Sequence, residues 1–180
     1  FFAKLPSTLL AERQPLALDP QAGRTDFEGE LAVILGRDLP QPIEETDALT
    51  AVAGVALAND VTGRDAQTAA KQAGQPWMAA KNGRGFCPLS SHVLLGPPVI
   101  EKWRLRTTTF APDGTGTVRQ DAPLTQMVHG IPRLIAAASR ILPLYAGDLI
   151  LTGTPAGVGP MHAGERVRIE LLDAETPDEN

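Results

Sequence analysis

The chain has a single cysteine, Cys87, among its 180 residues. One thiol excludes an intrachain disulfide and any multi-thiolate zinc site built within this chain, and an unpaired thiol suits a reducing cytoplasm. Aromatic residues make up only 4%, so a core must rest on Leu, Ile, Val and Ala. Basic runs interleaved with aromatics are absent and the formal net charge is −5. Nothing here would neutralise a row of phosphates, which argues against a nucleic-acid partner. No apolar stretch reaches the ~18–20 residues that span a bilayer, so no membrane partner is expected. The chain also lacks an initial Met. Phe1-Phe2-Ala3-Lys4 reads as the middle of a strand and predicts further chain upstream, with room there for a targeting segment.

What is present fits one globular domain, residues 1–180, long enough to bury a core. Hydrophobic residues at 43% and charged residues at 21% are ordinary proportions. The 17 Gly and 16 Pro predict many turns and short elements. Asp26 to Gly36 reads as a strand ended by glycine. Glu44 to Asp60 starts as a short helix and becomes a buried segment of small residues. Thr62 is placed to cap a helix over Gly63 to Ala73 that Gly74 closes. Strands follow near Val93 to Leu95 and over Trp103 to Phe110. Asp113-Gly114 forms a hairpin turn returning through Thr117 to Arg119. Ile131, Leu134, Ile135, Ala138 and Ile141 recur at helical spacing, with Pro132 in the first turn. Leu149 to Thr152 and Arg166 to Leu171 are strands, and the polar tail Ala174 to Asn180 frays. Strands outnumber helices and are seldom joined by helical crossovers. The expected class is α+β with a mixed, mainly antiparallel sheet.

Glu28 and Glu30 lie two apart in a strand, so their side chains leave the same face as Ala32 and Ile34. Buried there, two carboxylates repel each other and are desolvated, a conflict that a divalent cation removes. The alternative is a solvated strand end. Asp60 closes an apolar run in which an acid has no packing role, although Asn59-Asp60 also suits a plain turn. On the next helix Arg64, Gln67 and Lys71 share one face. That face is either a solvated stripe or a surface that meets substrate oxygens beside the acidic cluster. Lys81 is either a surface residue or a charge held against a substrate carboxylate. Gly153-Thr154-Pro155 follows a strand and offers backbone N–H groups and a hydroxyl, both able to bind a carboxylate, or is an ordinary turn.

The histidines give no metal-site spacing. His92 and His162 read as surface residues, and His129 as a half-buried residue beginning a helix. Oxygen-only ligands favour Mg²⁺, Mn²⁺ or Ca²⁺ over Zn²⁺. Ser90-Ser91-His92 lacks the context of a serine nucleophile.

Four blocks in order, EGELAVILG (Glu28 to Gly36), ALANDVTGRDAQ (Ala56 to Gln67), KQAGQPWMAAKNGRGFCPLS (Lys71 to Ser90) and AGDLILTGTPAGVGP (Ala146 to Pro160), resemble the fumarylacetoacetate hydrolase family. The resemblance covers almost the whole chain and is weakest between Val99 and Ala122. It implies the mixed β-roll of that family's C-terminal domain, with a homodimer as the usual assembly. It also implies Glu28, Glu30 and Asp60 as ligands of Mg²⁺ or Mn²⁺, and Arg64, Gln67, Lys81 and Thr154 as substrate contacts. Lys81 would be catalytic, compensating substrate charge near the metal, and Thr154 would bind the carboxylate of a 2-oxo acid. The stretch Gly74 to Lys81 is most similar to the acylpyruvase and oxaloacetate decarboxylase branch.

The resemblance implies hydrolytic C–C cleavage of an acylpyruvate-type 2,4-dioxo acid through a metal-stabilised enolate. The same chemistry serves decarboxylation of oxaloacetate or isomerisation of a 2-hydroxyhepta-2,4-diene-1,7-dioate. The His-Glu pair with which the family's hydrolases activate water falls upstream of the segment matching Phe1 to Pro6 and is not in this chain. A catalytically impaired metal- or ligand-binding module and an ordinary α+β domain with a solvated acidic edge are the readings of another class.

Overall fold

The structure, a computed structural model, describes residues 1–18 and 23–175. Short strands dominate, as the glycine and proline content predicts. First come β1 (Leu9–Ala11), β2 (Thr25–Phe27), β3 (Gly29–Leu35), β4 (Val52–Asn59) and β5 (Thr62–Gly63). Two helices follow, α1 (Arg64–Gln72) and α2 (Met78–Lys81). The remainder comprises β6 (Cys87–Leu89), β7 (Leu94–Leu95), β8 (Trp103–Phe110), β9 (Gly116–Pro123), α3 (Ile131–Ser139), β10 (Leu149–Leu151), β11 (Gly159–Pro160) and β12 (Arg166–Asp173).

Among the described residues these strands form three sheets. The largest runs β1-β6-β4-β3-β10 with β7 also on β4, and the smaller two run β11-β2-β5 and β12-β8-β9. All pairings are antiparallel except β1 with β6. The α+β class with mainly antiparallel sheets is as expected. Among the described residues no helix is long and apolar enough to cross a membrane.

The strand β3 is buried on both faces, which explains its near-continuous apolar sequence. Its odd positions Leu31, Val33 and Leu35 enter the main core with Leu105, Leu124 and the α3 residues Ile131, Ile135 and Ala138. Each such Leu, Ile or Val side chain contributes about 1.5–3 kcal/mol through burial. Its even face carries Ala32 against Ala56 and Ala58 of β4. Glu28 and Glu30 continue the same face. The pairing runs Gly29↔Asn59 through Ala32↔Ala56, so Asp60 leaves the end of β4 beside Glu28.

Four local expectations are corrected. The strand expected over 26–36 is interrupted at Glu28, where the chain passes from the β5 partner to the β4 partner. Residues 1–5 are not a strand, because side chains hold them instead of a ladder. The Asn82 Oδ1 accepts from Leu5 N at 2.6 Å and its Nδ2 donates to Ala3 O at 2.9 Å. Thr62 does not cap α1, whose N-cap is Gly63; the β5 pairing commits its hydroxyl elsewhere. His129 is exposed and precedes α3, which begins only at Ile131. The helix closed by Gly74, the 113–114 turn and the strands near 94, 103–110, 149–151 and 166–173 stand where expected. Residues 176–180 of the expected tail lie outside the described residues.

Candidate metal centre

Glu28, Glu30 and Asp60 each place a carboxylate oxygen within 4.8 Å of the others, and all three are buried. Three carboxylates this close and this dry require counter-charge. Lys81 supplies part of it. Its ammonium donates to Glu28 Oε2 at 2.8 Å, Asp60 Oδ2 at 2.6 Å and Thr62 Oγ1 at 2.6 Å. A second lysine, Lys4, lies 2.7 Å from Asp60 Oδ1 and donates to the carbonyls of Lys81 at 2.7 Å and Val61 at 3.2 Å. The ion pair with Oδ1 lacks hydrogen-bond alignment, so that buried oxygen keeps an unused lone pair.

Arg64 joins a fourth acid, Asp26, to the cluster. Its Nη2 donates to Glu28 Oε1 at 2.6 Å, its Nε to Asp26 Oδ2 at 2.8 Å and its Nη1 to Gln67 Oε1 at 2.6 Å. Burial alone would push the Asp26 carboxyl up. The guanidiniums of Arg24 and Arg64 outweigh it and hold the group below its ordinary value. Glu30 is the opposite case. Its protein donor among the described residues is the Gly153 N–H at 2.6 Å. Burial, then the Asp60 charge, with a further push from Glu28, raise its pKa to about 8. Without a cation this environment favours the protonated form of Glu30, a conflict that a bound divalent ion would remove. An all-oxygen donor set with one under-neutralised carboxyl and one unaligned Asp60 oxygen fits a hard divalent cation.

The Gly153-Thr154-Pro155 turn reaches the cluster through backbone. The Thr154 hydroxyl donates to Gly29 O at 2.8 Å and accepts from Gln120 Nε2 at 2.7 Å. The same amide donates to Pro155 O at 2.8 Å and accepts from Gly29 N at 3.1 Å. Gly29, between the two glutamates, has no room for a side chain: a Cβ would overlap the Thr107 hydroxyl and lie 3.2 Å from Gln120 Oε1. Gly29→Ala is therefore expected to cost about 1–3 kcal/mol through overpacking, lowering the melting temperature by roughly 2–10 °C. It should also weaken Mn²⁺ binding by displacing both glutamates. Unchanged melting and unchanged Mn²⁺ affinity would show that the strand yields here at no cost.

The family described as fumarylacetoacetate (FAA) hydrolase C-terminal matches residues 1–177. The chain belongs to the fumarylacetoacetate hydrolase family. Oxaloacetate tautomerase YcgM of Escherichia coli (strain K12) is 41% identical over 165 residues, covering 91% of this chain and 74% of that protein. The mitochondrial oxaloacetate tautomerase FAHD1 of Mus musculus is 36% identical over 167 residues, covering 90% and 72%. A crystal structure of fumarylpyruvate hydrolase from Pseudomonas aeruginosa, in complex with Mn²⁺ and pyruvate, matches with a TM-score of 0.84 at 27% identity, covering 94% and 72%. The chain is an enzyme of the fumarylacetoacetate hydrolase family.

Within this family framework the candidate residues converge. Glu28, Asp60, Lys81 and Arg64 form one hydrogen-bonded cluster, Gln67 joins it through Arg64, and Glu30 places its carboxylate within 4.8 Å of the other two acids. Thr154 is linked to it through Gly29 and Gln120. Lys81 is 2% exposed, so its surface reading is excluded. Lys71, one turn beyond Gln67, is exposed. A groove of about 970 Å³ beside β12 contains none of the cluster carboxylates. The cluster is instead covered over, with the Phe2 ring 4.7 Å from the Lys81 ammonium and 6.0 Å from Trp77.

Lys4, Asp26, Thr62 and Gln120 also belong to the site, beyond the residues to which the sequence points. Asp26 carried a signal, since it continues the alternation of Glu28 and Glu30. Thr62 carried one that pointed elsewhere, a hydroxyl preceding a helix. Lys4 and Gln120 reach the cluster only through long-range contacts.

Proposed function

We propose that the chain catalyses keto–enol chemistry at carbon 3 of a small 2-oxo acid, oxaloacetate foremost, with Mg²⁺ or Mn²⁺ held by Glu28, Glu30 and Asp60. The observation that carries this reading is the buried all-oxygen cluster with a lysine ammonium in its midst. The names of the tautomerase relatives supply the substrate. A cation bound there would supply Lewis-acid polarisation of the 2-oxo group.

The protein's own groups have separable tasks. Lys81, exchanging its bond to Asp60 for one to the substrate, donates to the 2-oxo oxygen as negative charge develops there. The C3 proton passes to water, and the enol forms when that oxygen takes a proton back from water. Arg64, oriented by Asp26 and Gln67, meets a carboxylate of the substrate with a charge-assisted hydrogen bond. The Gly153-Thr154-Pro155 turn receives the other carboxylate. Because the Thr154 hydroxyl proton is directed to Gly29 O, the Gly153 N–H is directed to Glu30 and Pro155 has no N–H, binding there uses the Thr154 N–H or exchanges one of those bonds.

A second reading is hydrolysis of an acylpyruvate, favoured by the likeness to fumarylpyruvate hydrolase. Both readings are tested by following the enol band of oxaloacetate and the loss of acetylpyruvate with and without Mg²⁺. The expected result is faster oxaloacetate interconversion, by at least about a hundredfold, on adding Mg²⁺. Acetylpyruvate loss without oxaloacetate turnover would favour hydrolysis. Mn²⁺ binding with neither activity would favour a binding module.

A further inference from the structure

We infer that Gln120 is a positioning residue that fixes the carboxylate cluster relative to the Gly153-Thr154-Pro155 turn, so that a 2-oxo acid spans both. The inference rests on reading the cluster as the cation site and the turn as a carboxylate site.

Gln120 is 1% exposed, and both ends of its amide are engaged. The oxygen accepts from Gly29 N at 3.1 Å, and the nitrogen donates to Thr154 Oγ1 at 2.7 Å and Pro155 O at 2.8 Å. Only this orientation of the amide satisfies every partner, because the Thr154 proton goes to Gly29 O. One side chain therefore grips the residue between the two glutamates and the turn that follows Glu30's donor, Gly153. It belongs to neither segment, since it comes from β9 in a different sheet.

Two features aim it there. The β8–β9 register runs Thr107↔Gln120 and then Thr108↔Val118, leaving Arg119 as a bulge. Bulges beside sites re-aim a neighbouring side chain. The carbonyl of that bulged residue lies against Gly157, whose φ is +105° and where a Cβ would overlap it. The 153–157 loop thus seats directly on the bulge that presents Gln120. A plain filler would need none of this: a Met of similar volume would leave the Gly29 N–H and Pro155 O unpaired.

The test separates the two arms in Gln120→Glu. The acceptor for Gly29 N–H is kept, while an oxygen replaces the donor facing Thr154 and Pro155. Mn²⁺ affinity should stay within about threefold of wild type or tighten, and oxalate binding to the Mn²⁺-loaded protein should weaken by about tenfold. Gln120→Met, which removes both arms, should weaken both. A merely structural residue would lower melting and both affinities together. Equal loss of Mn²⁺ and oxalate in Gln120→Glu, or unchanged oxalate affinity, overturns the inference. If that variant fails to fold, Gly157→Ala, which unseats the 153–157 loop from the Arg119 bulge without touching the cluster, must give the same split, and a parallel loss there overturns it as well. Failure of the wild-type protein to bind Mn²⁺ or oxalate is a different result, and overturns the underlying reading of the site.

Discussion

Glu30→Ala should lower Mg²⁺-dependent turnover by about a thousandfold or more, since it removes a proposed ligand from a centre whose Lewis acidity is worth several kcal/mol. A cation at a hundredfold excess over its Kd adds about 2.7 kcal/mol of stability, or roughly 5–10 °C of melting temperature in a chain this long. That shift should vanish in the variant. The metal-free proteins should differ with pH in a defined sense. Glu30 titrates near pH 4.5 when unfolded and near pH 8 in the fold, so between these values the native state holds the extra proton. Metal-free wild-type stability due to this group is therefore full below about pH 4.5 and is lost as pH rises towards 8. Relative to wild type, Glu30→Ala should gain stability across that window. Cation binding must expel the same proton, so wild-type affinity should rise towards pH 8. A metal-induced shift retained in Glu30→Ala would remove Glu30 from the ligand set.

Lys81→Met should produce two large effects of different origin. In the metal-free protein it removes the ammonium that bridges Glu28 and Asp60 at 2.8 and 2.6 Å, leaving Glu28 to Arg64 and Asp60 to Lys4. Removing one partner of a buried ion pair costs about 3–5 kcal/mol, read as a lower melting temperature. A divalent cation restores positive charge to the same carboxylates, so saturating Mg²⁺ should recover most of that loss. Catalysis should not recover. With the donor to the developing oxygen gone, kcat and kcat/KM should fall together by about 10²–10³. A rise in KM alone would confine Lys81 to ground-state carboxylate binding. Wild-type kinetics would deny it any part in the reaction.

Much of this site was legible because its signals are local. Period-two spacing puts Glu28 and Glu30 on one face, and an acid ending the small-residue run of β4 marks Asp60. Three-residue spacing in α1 puts Arg64 beside Gln67. The elements with strong patterns, β8, β12 and α3, were legible for the same reason. What stayed hidden depends on contacts far apart in sequence. Gln120 is 91 residues from Gly29, and Lys4 is 77 from the Lys81 carbonyl it binds. Neither sits in a pattern that sets it apart from an ordinary strand or surface residue. Thr62 illustrates a competing rule. A threonine before a helix reads as a cap, but pairing of β5 with β2 turns its hydroxyl to Asp60 O and the Lys81 ammonium. The break at Glu28 also has a tertiary cause, the exchange of pairing partners on either side of that residue.

The most direct test is a titration of the wild-type protein with Mn²⁺ followed by electron paramagnetic resonance, with oxalate added at saturation. Oxalate mimics the enolate of a 2-oxo acid and presents two oxygens to a metal. One Mn²⁺ should bind per chain and its spectrum should change on adding oxalate, with neither seen in Glu30→Ala. No bound Mn²⁺, or a bound ion whose spectrum ignores oxalate, would contradict a cation centre at Glu28, Glu30 and Asp60 that meets its substrate directly.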